Sequence, residues 1–256
     1  ASIGRVTGRK VFVSDLGGGG WDISGYLSTD GWYHGHLHIS EYSREVFGHA
    51  GKNWAHVIYG GVDTEKFCPA PDGIRTGNAC YVGRILPHKG VDNLVEAMPT
   101  DMGLDVVGRP YHSEYYQLLR TLAEGKQIHF KTGADDADLV RTYQRALCVV
   151  LPSVYRTVYG DTSRVPELLG QTLLEGMACE TPAICTDVAS MPEVVEDGVT
   201  GFVVPPNDPA TLRMRLIWLR DNPGRAREMG QAARQRVLQR FTWPAVVNRC
   251  MNIYRA

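Results

Sequence analysis

The sequence lacks the marks of a membrane-spanning, disulfide-stapled or nucleic-acid-coating protein. No apolar run approaches the roughly 18 residues that a bilayer crossing needs, and pieces such as ALCVVLP are as long as they come. Neither sign of charge is in excess. Lysine and arginine total 27 against 28 aspartates and glutamates, a formal net charge of −1, so no general basic field exists to hold nucleic acid, and nucleic acid is not an expected partner. Cysteine is scarce and unpatterned. Cys68, Cys80, Cys148, Cys179, Cys185 and Cys250 show no C-x-x-C and no Cys/His pairing at zinc spacing, which predicts reduced, mostly buried thiols. This points to the cytoplasm, with peripheral association at the inner face of the membrane left open. The opening residues lack the charged-then-apolar order of a signal peptide, and the first residue is Ala, so the natural amino terminus is expected further upstream.

Short β-branched runs alternate with longer stretches of helical period, which predicts βαβ units, a parallel sheet and an α/β fold. Strands are expected within KVFVSD (10–15), HLHIS (36–40), AHVIYG (55–60), NACYVG (78–83), GLDVVG (103–108), QIHFKT (127–132), CVVLPS (148–153), PAICTD (182–187) and GFVVPP (201–206). The clearest helices are GVDNLVEAMP, EYYQLLRTLAEG, DADLVRTYQRAL, QTLLEGMAC, PATLRMRLIWLRDNP and PAVVNRCMNIYR. The Pro/Gly-rich connection FCPAPDGIRTG (67–77) separates a first block with about three strands from a second with six.

Two clusters carry chemistry. In PELLGQTLLEGMACETPAI (166–184), Glu167 and Glu175 bracket Gly170 with seven residues between them. The glycine breaks helical continuity, so a helix is expected from about Gln171 to Cys179, with Glu167 in the preceding loop and Glu175 on the first or second turn. The amides of Gly170, Gln171 and Thr172 then have no intrahelical acceptor and form an anion site. Carboxylates beside such a site repel phosphate, so neutral hydroxyls of ribose or a sugar are their expected targets; a solvated helix residue and an incidental loop acid are the plain alternatives. In YVGRILPHKGVDNLVEAM (81–98), Gly83, Arg84, Lys89 and Gly90 follow a strand and precede a helix, so two cations stand beyond a strand's carboxyl end, as suits a diphosphate. This is not a Walker loop, because the lysine precedes its glycine, and LGGGGWDISG (16–25) fits no register of G-x-G-x-x-G.

Read in order, SEYSREVFG (40–48), VIYGGVDTEKFCP (57–69), YVGRILPHKG (81–90), VVG (106–108), PELLGQTLLEGMA (166–178) and MPEVVEDGVTGFVVPPND (191–208) resemble the retaining glycosyltransferases of family 4, and FTWPAVVNRCMNIY (241–254) is similar to that family's closing helix. The resemblance implies the GT-B fold of two facing Rossmann-like domains, parallel sheets with helices on both faces. It places the rear of an incomplete N-terminal, acceptor-side domain at 1–70, a nucleotide-sugar-binding domain at 71–240, and a helix crossing back at 241–256. It further implies that Arg84 and Lys89 hold the donor diphosphate with the amides of Gly170, Gln171 and Thr172, that Glu175 binds the ribose, and that Glu167 contacts the transferred sugar. Gly83 and Gly108 stand at the donor cleft, and the base lies near Phe130 and Lys131. The expected activity is metal-independent transfer, with retention of configuration, from a UDP-, GDP- or ADP-linked sugar to a carbohydrate, lipid or small-molecule acceptor. No cofactor is expected beyond the donor substrate. The alternatives are a non-catalytic nucleotide-sugar-binding module needing a missing N-terminal segment or a partner chain, and a GT-B epimerase.

Two features depart from that family. Asp15 stands where its N-terminal histidine is expected; VYRTVYGDTSRV (154–165) is longer than its usual link and offers Tyr155, Arg156, Tyr159 and Asp161 as a flap or as a plain surface insertion. His34, His36 and His38 alternate in WYHGHLHIS, so a strand would set all three on one face, but one strand face rarely supplies a convergent ligand set, and no metal site is expected.

Overall fold

The computed structural model describes residues 7–15 and 30–256. Each of the nine expected segments carries a strand: β1 (Phe12–Asp15), β2 (Gly35–His38), β3 (Ala55–Val57), β4 (Ala79–Val82), β5 (Leu104–Val107), β6 (Ile128–Lys131), β7 (Cys148–Leu151), β8 (Ala183–Thr186) and β9 (Gly201–Val204). All pairings are parallel. The first three strands form a sheet in the order β1-β2-β3, and the other six a sheet in the order β6-β5-β4-β7-β8-β9. In the second sheet the chain winds outward one way from β4 to β6 and the other way from β7 to β9. The carboxyl ends of the adjacent β4 and β7 therefore flank a topological switch point, where open sheets of this kind bind ligands. Every residue of β4, β7 and β8 is buried, as continuous apolar runs covered on both faces require.

The helices are α1 (Glu41–Val46), α2 (Val91–Ala97), α3 (Ser113–Leu122), α4 (Asp136–Arg145), α5 (Gln171–Ala178), α6 (Met191–Val194), α7 (Pro209–Asp221), α8 (Pro223–Arg240) and α9 (Trp243–Arg255). One layer joins α2 with α3 and α7, and the other joins α5 with α4 and α8. The long α8 is not among the segments that stand out in the sequence. Its buried stripe consists of Ala226, Met229, Gly230, Ala233 and Val237, too small and narrow to stand out between arginines. The small residues have a purpose: a Cβ on Gly230 would lie 2.0 Å from the Glu180 carbonyl oxygen, so the helix rests directly on backbone.

The closing helix α9 lies against the three-stranded sheet, where Val246 packs with Leu37 and Ile58, and the rings of Phe12 and Tyr254 meet at 4.8 Å. The two blocks are tied at further points. Glu193 at the start of α6 accepts hydrogen bonds from the amides of Glu41 and Tyr42, both at 2.8 Å, and Val62 N donates to Phe241 O at 2.8 Å. The connection 67–77 is stapled by Arg75, whose guanidinium donates to the carbonyls of Ala146 at 3.0 Å and Glu180 at 2.8 Å.

The six cysteines are free thiols, four of them buried. No helix among the described residues is long and apolar enough to cross a membrane. The segment LGGGGWDISG lies outside the described residues, and of Asp15 only the backbone is described, in register with His38 at the end of β1. The histidine row is corrected. His34 precedes β2, and its Nδ1 accepts from Val11 N at 3.0 Å. His36 and His38 do share a buried face, but there they meet His49 from beyond α1. Burial, followed by the neighbouring His49, His36 and Arg44, pushes the His38 imidazole down to about 3, so the ring is neutral.

Beside the switch point the ends of β4 and β5 approach so closely that a Cβ on Gly108 would lie 1.8 Å from the Gly83 carbonyl oxygen, and Gly108 has φ +148°. Gly108→Ala must separate β4 from β5 while straining its own backbone. It is expected to lower unfolding free energy by more than about 1 kcal/mol in denaturant titration; a smaller loss would show that the strand ends yield easily.

Candidate active site

Two loops meet beyond the carboxyl ends of β4 and β7. The first leaves β4 through Gly83, passes the exposed Arg84 and a short 3-10 helix, Pro87–Lys89, and enters α2 at Gly90. Its course is fixed from below, because the buried Tyr81 hydroxyl donates to the Arg84 carbonyl at 2.7 Å. Gly90 has φ +63°, and a Cβ there would lie 2.1 Å from the Pro152 carbonyl oxygen, so the β4 and β7 loops touch through their backbones. The second loop follows β7 and carries Ser153. The same loop carries Glu167 and ends at Gly170, which takes φ +81° as the residue before α5.

Glu167 is where they converge. The Lys89 ammonium forms an ion pair with its Oε1, and Ser153 Oγ donates to the same oxygen at 2.8 Å. The side chains of Lys89 and Glu167 are only 12% and 10% exposed. A pair this sheltered holds its geometry, since removing one partner strands the other charge. Arg84 takes a different place. It lines an open cleft of about 240 Å³ with Gly83, Gly108, Arg109, Tyr111 and Leu139.

At α5, the amides of Leu173 and Leu174 turn back to the Gly170 carbonyl, so those of Gly170, Gln171 and Thr172 precede the first intrahelical bond. Gln171 reaches across to the first block, where its Nε2 donates to Gly61 O at 3.1 Å. Glu175 lies on the second turn and is no solvated helix residue: it is half-buried and accepts from the Tyr143 hydroxyl at 2.8 Å. Burial raises its pKa above the ordinary glutamate range, against the opposing pull of the Tyr143 hydrogen bond. At the sheet's edge, Phe130 sets its ring edge-on to Tyr116 at 5.4 Å, and Lys131 pairs with Asp105 at 3.0 Å. Both line a separate depression of about 580 Å³ with Asp138 and Arg141.

The expected residues thus fall into neighbouring groups: Lys89 with Glu167; Gly83, Arg84 and Gly108; Gly170 to Glu175; and Phe130 with Lys131. Sequence reasoning missed Ser153, Tyr143 and Arg109. Ser153 and Arg109 were visible as polar residues directly after a strand, but nothing local marks Tyr143 as the partner of Glu175, 32 residues away.

The family model described as glycosyl transferases group 1 matches residues 76–236, which include all of these groups. The chain belongs to that family. Among its relatives is the alpha-maltose-1-phosphate synthase of Mycobacterium tuberculosis, 33% identical over 233 residues that cover 79% of this chain and 57% of that protein. Another is a GDP-mannose-dependent alpha-(1-6)-phosphatidylinositol monomannoside mannosyltransferase of Mycolicibacterium smegmatis, 30% identical over 80% of this chain and 58% of that one. The chain therefore spans little more than half the length of the curated relatives it matches. Anabaena HepE, solved in complex with UDP and glucose, superposes with a TM-score of 0.79 at 19% identity, covering 99% of this chain and 73% of that one, and so shares the GT-B fold.

The environment of Glu175 has a consequence for stability. Its folded pKa is raised above the unfolded value, so the cost of burying its charge is fully present above the folded pKa and disappears as pH falls through that value toward the unfolded one. Glu175→Gln keeps an acceptor for Tyr143 without the charge. It is expected to melt higher than the parent at neutral pH, with the advantage shrinking in acid, as followed by thermal denaturation at several pH values. An advantage that grows in acid would reverse the assignment.

Proposed function

We propose that the protein transfers a sugar from a nucleoside-diphosphate sugar to an acceptor hydroxyl with retention of configuration, and that the charges stabilising the leaving diphosphate are its own rather than a metal's. The observation that carries this reading is the sheltered Lys89–Glu167 pair, braced by Ser153 between the ends of β4 and β7 and just ahead of the α5 amides. Family membership supports transfer as the class of reaction, and the relatives whose names specify GDP-mannose or whose structure holds UDP and glucose support a nucleotide sugar as donor.

In this reading the diphosphate lies between the Lys89 ammonium, the Arg84 guanidinium and the amides of Gly170, Gln171 and Thr172. These donors are in place before the reaction, so negative charge growing on the leaving oxygen meets dipoles and cations that need no reorganisation. Glu167, its Oε1 occupied by Lys89 and Ser153, faces the transferred sugar and orients its hydroxyls. The acceptor hydroxyl attacks on the face the diphosphate leaves and gives its proton to the departing oxygen, so retention needs no protein nucleophile. Glu175, positioned by Tyr143, accepts from the ribose hydroxyls, and the base stacks near Phe130 above the β6 edge.

A thermal-shift panel of UDP-, GDP- and ADP-sugars tests the reading, because ligand at about 100 times its dissociation constant adds roughly 2.7 kcal/mol. Arg84 is exposed and can be removed without disturbing the core. Arg84→Ala is expected to weaken nucleoside diphosphate by roughly 10- to 100-fold, from the loss of a charged hydrogen bond of about 1.5–3 kcal/mol, and to leave nucleoside binding unchanged. Equal losses for both ligands would remove the diphosphate from this loop. Donor binding is also expected to survive EDTA in calorimetry; loss on chelation with recovery on a divalent ion would overturn the metal-independent arrangement.

A further inference from the structure

The alternation of β2 turns His36 and His38 to one face, and the chain then returns a third histidine to them. After α1, Gly48 takes φ +74°, Gly48 N donates to Glu45 O at 2.8 Å and His49 N to Arg44 O at 2.9 Å. This closes the helix and directs His49 back under it. The three side chains are 5%, 2% and 1% exposed. One ring nitrogen from each lies within 4.8 Å of the others, and His38 Nε2 stands 3.0 Å from His49 Nδ1. Ring centroids are separated by 4.7 Å for His36 and His49, 5.1 Å for His38 and His49, and 6.3 Å for His36 and His38.

These spacings resemble those around an ion. Imidazole nitrogens bound tetrahedrally at about 2.0–2.1 Å stand roughly 3.3–3.4 Å apart. His38 Nε2 and His49 Nδ1 are already close to that spacing, and the ligand nitrogens of all three rings lie within 4.8 Å of one another. The strand pairing holds the backbone of β2: His36 N donates to Trp54 O at 2.9 Å, and His38 is in register with Val57. Behind His38, Ser43 Oγ lies 3.4 Å from Nδ1, on the side away from Nε2, where a partner fixes tautomer and ring direction for a ligating histidine. The nearby cation Arg44 is paired with Glu41 at the helix surface.

We propose that His36, His38 and His49 bind one transition-metal dication of the zinc class, with water as the fourth ligand, as a structural brace for the three-stranded sheet. Three imidazoles with no carboxylate in the set favour zinc, copper or nickel over magnesium or calcium. The ion takes no part in donor binding, since its ligands come from the other sheet. It fixes β2 to the turn after α1, the helix whose first amides receive Glu193 from the second block.

The test uses the full chain, stripped of metal and titrated with Co²⁺, whose visible absorption distinguishes four-coordinate from six-coordinate sites. One equivalent is expected to give the intense bands of a four-coordinate site, one equivalent of Zn²⁺ to abolish them, and Zn²⁺ to raise the melting temperature. His49→Ala is expected to weaken binding at least tenfold, whereas His34→Ala and His56→Ala are not. Absence of stoichiometric binding, binding unaffected by His49→Ala, or binding lost in either control variant would overturn the proposal. Should His49→Ala fail to fold, X-ray absorption on the Zn²⁺-loaded parent decides: three imidazole nitrogens support the site, and fewer refute it.

Discussion

The carboxylate of Glu167 is the point on which the site depends. Two loops, one leaving β4 and one leaving β7, are held together at a single oxygen of this side chain: Lys89 of the β4 loop pairs with Oε1, and Ser153, on the same β7 loop as Glu167, donates to it. In so sheltered a place neither charge is stable without the other: breaking a buried pair costs about 3–5 kcal/mol, whereas an exposed pair contributes little. The pair therefore organises the switch point before any ligand arrives, and the residues that hold the loops together are the ones with chemistry to offer.

The pair is possible only because backbones approach closely around it. Gly108 lies against the Gly83 carbonyl and Gly90 against that of Pro152, at separations no side chain would allow. With the strand ends drawn together, Tyr81 fixes the Arg84 loop, and Gly170 starts α5 with its first amides clear of intrahelical bonds. The two acids of the site are placed differently. Glu167 is neutralised by Lys89, and Glu175 lies a turn deeper under the Tyr143 hydroxyl, where burial already disfavours its charge.

The insertion 154–165 is ordered by several tethers. Arg156 and Thr162 form an antiparallel bridge, Ala189 N donates to the Tyr155 hydroxyl at 2.8 Å, and Tyr159 stacks on His112 with centroids 5.6 Å apart. It is thus a folded turn beside the β4 loop, to which it is joined by the hydrogen bond from Val154 N to His88 O at 2.9 Å. Either expectation for this segment, a flap or a plain insertion, is compatible with such a turn.

Much of the fold was legible in the sequence because it is local. Buried parallel strands appear as continuous Val/Ile-rich runs, glycine marks the left-handed residue before α5, and a Gly-Arg loop after a strand has only one end of the sheet to occupy. α8 escaped notice for an equally local reason, since a stripe of alanine and glycine carries little hydrophobic signal. Pairings across the chain were a different matter. That Lys89 meets Glu167, 78 residues on, follows from the strand order that makes β4 and β7 neighbours, and no periodicity encodes that order. The sequence showed that His36 and His38 alternate, and by itself that suggested a single row with His34. Only the tertiary structure decided that His34 stands aside, bonded to Val11 N ahead of β2, and that the turn after α1 brings His49 to complete the cluster, because side-chain convergence is set by how elements pack and not by the spacing of residues along any one of them.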